Sequence, residues 1–279
     1  MRDAVTPNAL GRAGATDALD PLANESIAIL RESYATAEHP ALLWSMGKDS
    51  NTLLWLARKA FFGRVPFPVV HVDTGLEFAE IYAFRDRLAE AWRLDLVVAL
   101  CPPIEAMDPS LPPNARSASR KTAGLRDIIA QRGFDAVIAA IRRDEQSTRA
   151  KERVFSPRGG DNAWNFREQP PEFWGHFAID PPPGGHLRVH PLLGWSEIDV
   201  WRYVAREGVP VPDLYFARNG MRYRSLGERD ITVPVASAAT TIDEIIAELE
   251  ASRTPERAGR TMDHESEDAF ERLRAAGYM

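Results

Sequence analysis

Ala41-Leu42-Leu43-Trp44-Ser45-Met46-Gly47-Lys48-Asp49-Ser50 is an apolar run that stops at a short polar loop, and from Leu53 to Phe61 apolar residues resume at helical spacing. The pattern reads as strand, loop, helix. A loop at such a junction turns backbone N–H groups and the positive end of the helix dipole toward an anion. Gly47 lets the main chain approach closely, Ser45 and Ser50 offer hydroxyls, and Lys48 adds a charge to what reads as an exposed loop, so the set suits pyrophosphate. The first glycine of GxxxxGK[ST] is missing and Asp49 follows the lysine, which excludes a Walker A loop and a dinucleotide fingerprint. An accidental polar turn is the plainer reading of so short a motif.

The same rhythm recurs on either side. Upstream, Ile27, Ile29, Leu30 and Tyr34 predict a helix over 24–36, and residues 1–22, without periodicity, read as a mobile leader. Downstream, Phe67 to Val72 is apolar and stops at Asp73-Thr74-Gly75, and 81–92 is amphipathic. Strands are predicted at 94–100 and 134–141, separated by a Pro-rich stretch (102–113) and a helix over about 122–132. Strands that are apolar throughout and alternate with helices indicate a parallel sheet covered on both faces, with ligands at the carboxyl ends of its strands. Asp73 and Thr74 would then share a rim with the first loop, where they could hold ribose, adenine or Mg²⁺. Beyond Arg142 the texture is charged and Pro/Gly-rich and reads as loops with one short hairpin. Helices follow at 195–204, with Ser196 and Asp199 in capping-box spacing, at 242–251 and at 266–275.

The 279 residues, 44% of them hydrophobic, suffice for one α/β domain with a sizeable core. A net charge of −6 argues against a nucleic-acid partner, so an anionic ligand must be met by a local cationic cluster. One such cluster follows the fourth predicted strand: Arg142, Arg143, Arg149, Lys151 and Arg153, interleaved with Ser147. These can supply forked donors to sulfate or phosphate. Asp144, Glu145 and Glu152 nearly balance them, so a solvated charged face fits the spacing equally well. The single cysteine, Cys101, excludes a disulfide framework and a multi-cysteine metal site, and the six isolated histidines lack zinc-ligand spacing. The absence of a long apolar run and of a signal pattern leads us to expect a cytoplasmic protein with no membrane partner. Trp55, Trp92, Trp195 and Trp201 fall on helical segments and read as packing residues; His71 reads as a nucleotide contact or a structural histidine.

Ser45-Met46-Gly47-Lys48-Asp49-Ser50 resembles the SxGxDS signature of the PP-loop ATP pyrophosphatases, which cleave ATP between its α and β phosphates. FPVVHVDTGLEFAEIYAFRDRLA (67–89), GFDAVIAAIRRDEQSTRAKERVFSPR (133–158), LRVHPLLGWSEIDVWRYVAREGVPVPDLY (187–215), RYRSLG (222–227) and the tail (240–279) are similar to the small subunits of bacterial heterodimeric ATP sulfurylases, within the group that holds the sulfonucleotide reductases. The resemblance implies a doubly wound, mostly parallel sheet of the adenine nucleotide alpha-hydrolase (PP-loop) type over 23–215 and an irregular C-terminal extension over 216–279. It implies that ATP, with Mg²⁺, and sulfate yield adenosine 5′-phosphosulfate and pyrophosphate, with a large GTPase subunit as partner. Ser45, Gly47, Lys48, Asp49, Ser50, Asp73 and Thr74 would bind nucleotide. Arg142, Arg143, Ser147, Arg149 and Arg153 would bind the acceptor, with Lys48, Arg142 and Arg143 catalytic. Replacing either Arg142 or Arg143 by lysine should then hurt turnover.

The chain departs from the family pattern twice. It is about 20 residues shorter between Ala217 and Met221, a length at which loops are often functional, and Glu228-Arg229-Asp230 follows RSLG where the family has a cysteine-containing turn. A PP-loop adenylyltransferase with another acceptor, or a non-catalytic nucleotide-binding regulatory subunit, therefore stays open. A sulfonucleotide reductase would need a cysteine near its C-terminus, and none follows Cys101.

Overall fold

Strand β1 (Pro40–Leu43) runs through the middle of a six-stranded sheet, flanked on one side by β2 (Val69–Asp73) and on the other by β4 (Ala136–Ile138), both parallel to it. Beyond β2 lies β3 (Leu96–Leu100); beyond β4 lie β6 (His186–Val189), still parallel, and the antiparallel edge strand β5 (Phe155–Arg158). The order is β3-β2-β1-β4-β6-β5. The computed structural model describes residues 18–111, 113–145, 149–160, 163–173, 175–252 and 256.

The chain winds outward from β1 to β3 and then returns to the other side of β1 as β4. That reversal leaves a crevice between the loops that follow β1 and β4, the place where doubly wound sheets bind ligands. Alternation along the strands feeds two cores. Leu42, Val69, Ala136 and Ile138 face α1 (Leu19–Thr36), α2 (Lys48–Ala60), α3 (Ala79–Trp92) and α5 (Glu197–Glu207), while Ala41, Leu43, Val70, Val72 and Val137 pack with Leu125 and Ile128 of α4 (Pro113–Arg132). Among the described residues no helix is long and apolar enough to cross a membrane.

Several expectations change. Helix α1 begins at Leu19, inside the stretch read as a leader, and α4 begins at Pro113 inside the Pro-rich stretch, where a fixed φ suits a first helical residue. Strand β4 covers only the middle of its apolar run. The region read as loops and a hairpin contributes β5 and β6 to the main sheet. It escaped the hydropathy pattern because His186 and Arg188 are buried within β6. The Ser196–Asp199 capping box is present, and α6 (Ile242–Ala251) has a second one from Thr241 and Glu244. The helix expected at 266–275 lies outside the described residues. Trp195 and Trp201 are buried, and Trp55 and Trp92 pack on each other. Between Ala217 and Met221, where the sequence reads as short, Asn219 and Gly220 have φ of 54° and 76°, and Arg218 and Met221 exchange both backbone hydrogen bonds. This is the geometry of a two-residue hairpin turn built on Asn-Gly, and it leads into the small ribbon of β7 (Met221–Arg222) and β8 (Val235–Ala236).

The loop after β1 holds a strained residue. Met46 is fully buried at φ 57°, a left-handed conformation that costs a residue with a Cβ roughly 1–2 kcal/mol. Asn51 holds it there. Its Oδ1 accepts from Trp44 Nε1 at 2.7 Å and its Nδ2 donates to the Met46 carbonyl at 2.9 Å, tying both ends of the turn to the first helical turn of α2. In Asn51→Leu two buried polar groups lose their partners, each costing about 1–3 kcal/mol. Urea denaturation should show a loss of roughly 2–6 kcal/mol on that basis, whereas a variant as stable as the wild type would show that the loop holds its shape without the staple.

The β5–β6 pair buries a polar cluster. Arg158 donates to Glu152 at 2.8 Å and to Ser156 Oγ at 2.7 Å, and its guanidinium lies over Trp164. Burial first, and then the nearby Arg188 and Arg158, push the His186 pKa down to about 3; burial likewise takes His190 down to about 4. An unfolded histidine titrates near pH 6.5, so below that pH the unfolded chain takes up protons that the folded chain refuses. Stability from these residues is complete above about pH 6.5 and declines as pH falls toward their folded values. The thermal midpoint should therefore drop between pH 7 and pH 5, with a shallower drop in His186→Asn; identical slopes would mean that the folded protein protonates His186.

Candidate active site

The crevice between the β1 and β4 loops holds two buried cations bridged by two carboxylates. Asp49 reaches Lys48 Nζ through Oδ2 at 3.1 Å and Arg142 Nη1 through Oδ1. Glu256 reaches Lys48 Nζ through Oε1 at 2.5 Å and Arg142 Nη2 through Oε2 at 2.6 Å. The Arg142 Nε donates to Asp144 at 2.9 Å and its backbone N–H to Glu145 Oε2 at 3.1 Å, and Glu145 in turn pairs with Arg149. The Lys48 and Arg142 side chains are 1% and 0% exposed, so the lysine is not the exposed charge that the loop reading suggested.

Charges this deep persist only when paired and hydrogen-bonded. Burial by itself would raise the Glu256 carboxyl, but Lys48 and Arg142 outweigh it and hold the carboxyl far below the usual range. Burial would likewise lower Arg142, and the Glu256, Glu145 and Asp144 carboxylates reverse that shift. Lys48, Arg142 and Arg149 thus face Asp49, Asp144, Glu145 and Glu256, three cations against four anions.

The loop itself is closed by short contacts. Ser45 Oγ lies 3.2 Å from Ser50 Oγ, which donates to the Gly47 carbonyl at 3.0 Å. Gly47 caps α2, and the Lys48 N–H donates to Tyr215 Oη at 2.8 Å. Tyr215 is buried edge-on against Trp201 of α5, so the C-terminal half of the chain braces the loop.

Other predicted residues sort by distance from this centre. Arg149 lines the pocket. Arg143 is exposed and only its backbone N–H, donating to the Leu193 carbonyl, reaches the core. Arg153 Nε points to the Pro170 carbonyl at 3.3 Å. Neither lines the pocket. Arg142 and Arg143 both lie beyond the end of β4, and a single 3-10 turn, Arg143–Glu145, begins between them, so the neighbours part. Ser147 lies outside the described residues. Asp73 and Thr74 do not line the pocket either. Asp73 accepts the Gly75 N–H at 2.7 Å and the Tyr82 hydroxyl at 2.8 Å, which overcome burial and lower its pKa. Arg85 Nη1 donates to His71 Nδ1 at 3.0 Å, and His71 Nε2 lies 3.5 Å from Glu77 Oε2. His71, Asp73, Tyr82 and Arg85 thus form a set that fixes α3 to β2. Cys101 is half-buried, its thiol pushed up to about 11 by burial, which leaves it mostly protonated and unreactive.

Sequence reasoning missed Lys121, Tyr215 and Glu256. Lys121 reaches the pocket from α4, one helical turn beyond Ser117. Behind it stands Glu228, 3.6 Å from Lys121 Nζ and hydrogen-bonded to Ser117 Oγ. The departure after RSLG is therefore a buried carboxylate next to a pocket lysine. Nothing in spacing or hydropathy singles out Lys121 or Glu256, since each is one charged residue among many. Among the described residues no three His, Cys, Asp or Glu side chains are grouped to hold a metal ion.

Residues 39–234 match the phosphoadenosine phosphosulfate reductase domain family. The chain is 40% identical to the sulfate adenylyltransferase subunit 2 of Rhizobium tropici over 93% of its length and 94% of the relative's, and 39% identical to that of Pseudomonas paraeruginosa over 93% and 97%. Those alignments span 297 positions against 279 residues, so the relatives carry segments that this chain lacks. In fold it is similar to FMN adenylyltransferase from Candida glabrata (TM-score 0.57, 15% identity, 89% of this chain and 90% of that one) and to phosphoadenylyl-sulfate reductase from Candida auris (TM-score 0.51, 16% identity, 80% and 99%). The chain belongs to the phosphoadenosine phosphosulfate reductase domain family, on the branch of the sulfate adenylyltransferase subunit 2 proteins.

Proposed function

We infer that this protein is a nucleotidyltransferase that moves the adenylyl group of ATP to sulfate, giving adenosine 5′-phosphosulfate and pyrophosphate. The near-full-length identity to sulfate adenylyltransferase subunit 2 proteins carries this reading, and the paired cations in the crevice supply a chemistry for it. A sulfate oxygen attacks the α-phosphorus in line, forming the new P–O bond as the bond from the α-phosphorus to the α,β-bridging oxygen breaks, and pyrophosphate leaves with that oxygen. Lys48 and Arg142 hold oxygens of the leaving pyrophosphate and the α-phosphate, with Ser45, Ser50 and the Gly47 turn framing them. Arg149 and Lys121 are the pocket cations left to orient the acceptor. The work is positioning and charge stabilisation, with no covalent enzyme intermediate. Mg²⁺ would arrive on the triphosphate and share its charge, and the half-buried Asp49 carboxylate suits an ion that typically takes one or two carboxylates plus substrate phosphates.

The expected partner is a large GTPase subunit, in keeping with the name subunit 2 borne by the relatives, and the expected compartment is the cytoplasm. Residues 23–215 would form the catalytic domain, and 216–279 an extension that contributes Ser225, Leu226 and Glu256 to the pocket lining.

Pyrophosphate release with ATP and sulfate tests the residue roles. Lys48→Ala should abolish it. Arg142→Lys keeps the charge but loses the forked donor, and its kcat/KM should fall at least about tenfold, or roughly 1.4 kcal/mol of transition-state stabilisation. Arg143→Lys should stay near wild type because its side chain faces solvent. Equal values for the two arginine variants would remove the crevice from the oxyanion assignment. In the same assay the isolated chain should be nearly inactive and gain turnover with a GTP-hydrolysing large subunit; full sulfate-dependent turnover from the chain alone, without GTP, would refute the partner.

A further inference from the structure

Glu256 stands 208 residues from Lys48 in sequence, beyond the end of α6 at Ala251, yet its carboxylate sits at the centre of the crevice. Each of its oxygens takes one cation, Oε1 that of Lys48 at 2.5 Å and Oε2 that of Arg142 at 2.6 Å. Two oxygens spread over an ammonium and a guanidinium reproduce the way one phosphate group would bridge them. The side chain of Glu256 is 6% exposed, and the two cations beneath it 1% and 0%. No incoming phosphate can reach either donor while the carboxylate is in place.

We propose that Glu256 is an internal competitor for the phosphate site: its carboxylate occupies Lys48 and Arg142 in the empty protein and gives way to the phosphates of ATP or to pyrophosphate. The inference rests on the reading that these two cations hold phosphate. Charge makes the two occupants mutually exclusive. The cluster already carries one more anion than cations, so a triphosphate added on top of Glu256 would meet a net negative surface. Space points the same way, because the crevice beside Glu256 has a volume of about 210 Å³, below the roughly 300–1,000 Å³ of pockets that enclose ligands of nucleotide size. Asp49 bridges the same two cations but cannot leave so readily, since it is part of the first turn of α2. Glu256 belongs to no helix or strand of the sheet domain, so its departure costs none of the sheet's hydrogen bonds.

Competition of this kind lowers apparent affinity by the fraction of molecules in which the site is open. Glu256→Gln keeps the shape and loses the charge, so it should open the site. Calorimetric titration of the full-length chain with inorganic pyrophosphate, at one fixed ionic strength, reads this directly for the wild type, Glu256→Gln and Lys48→Ala. Glu256→Gln should bind pyrophosphate at least about tenfold more tightly than wild type, and Lys48→Ala should bind it much more weakly. If Lys48→Ala binds as well as wild type, the phosphate site itself is misplaced and both readings fall. If Lys48→Ala is weak but Glu256→Gln is no tighter than wild type, the phosphate site stands and the competitor is overturned. Hydrogen exchange in the wild type guards against a misfolded variant: saturating pyrophosphate should speed exchange in the peptide that contains Glu256, and unchanged or slower exchange there would overturn the proposal.

Discussion

The pairing of Lys48 and Arg142 over two shared carboxylates is the interaction on which the rest of the site depends. Neither cation could stay buried alone, because removing an ammonium or a guanidinium from water costs several kcal/mol even after relaxation. Asp49 and Glu256 each accept from both cations, one oxygen to each, and Asp144 accepts from the remaining Arg142 edge. The result is a dense lattice of charge with little solvent to screen it. Its strength and its vulnerability have one origin: a stronger anion of similar shape can take over the same donors.

The fold supplies the geometry that makes the lattice possible. Lys48 opens α2 and Arg142 follows β4, and the two meet because β1 and β4 are neighbours in the sheet although nearly a hundred residues separate them in sequence. The reversal of strand order at β1 places both loops over one crevice. Met46 is kept in a left-handed turn by Asn51 so that the chain can leave β1 and enter α2 at once. Tyr215, pinned on Trp201, closes the loop from the far side. Local strain at the loop is thus offset by hydrogen bonds and packing from elements on both sides of it.

The basic run after β4 shows how little a cluster of charge in sequence says about a cluster in space. Arg142 turns inward and Arg149 lines the pocket, while Arg143 faces solvent and Arg153 points to a loop carbonyl. The spacing alone could not separate the residues that turn inward from those that form a solvated face. The positive charge is also far from free. Carboxylates of the same segment, of the first loop and of the tail outnumber it by one, so the cations are already paired before any ligand enters. Glu228 lies behind Lys121 and outside the pocket lining, paired with that lysine and hydrogen-bonded to Ser117.

The sequence by itself determined the architecture. Strands apolar on both faces, alternating with amphipathic helices, have no stable arrangement but a parallel sheet covered on two sides, and a polar loop between such a strand and helix must lie at the sheet's carboxyl edge. It also located the polar turn between β1 and α2, since that signal is local. It hid β6, because a strand carrying a histidine and an arginine is apolar only in its surroundings, and it gave no sign that Asp73 Oδ1 accepts both the Gly75 N–H and the Tyr82 hydroxyl. Only the tertiary structure decided which arginine turns inward, that Lys121 arrives from the opposite face of the sheet, and that Glu256 closes over Lys48 and Arg142. Those facts depend on contacts between segments tens to hundreds of residues apart, and a pairing between distant charges leaves no periodicity along the chain from which it could be read.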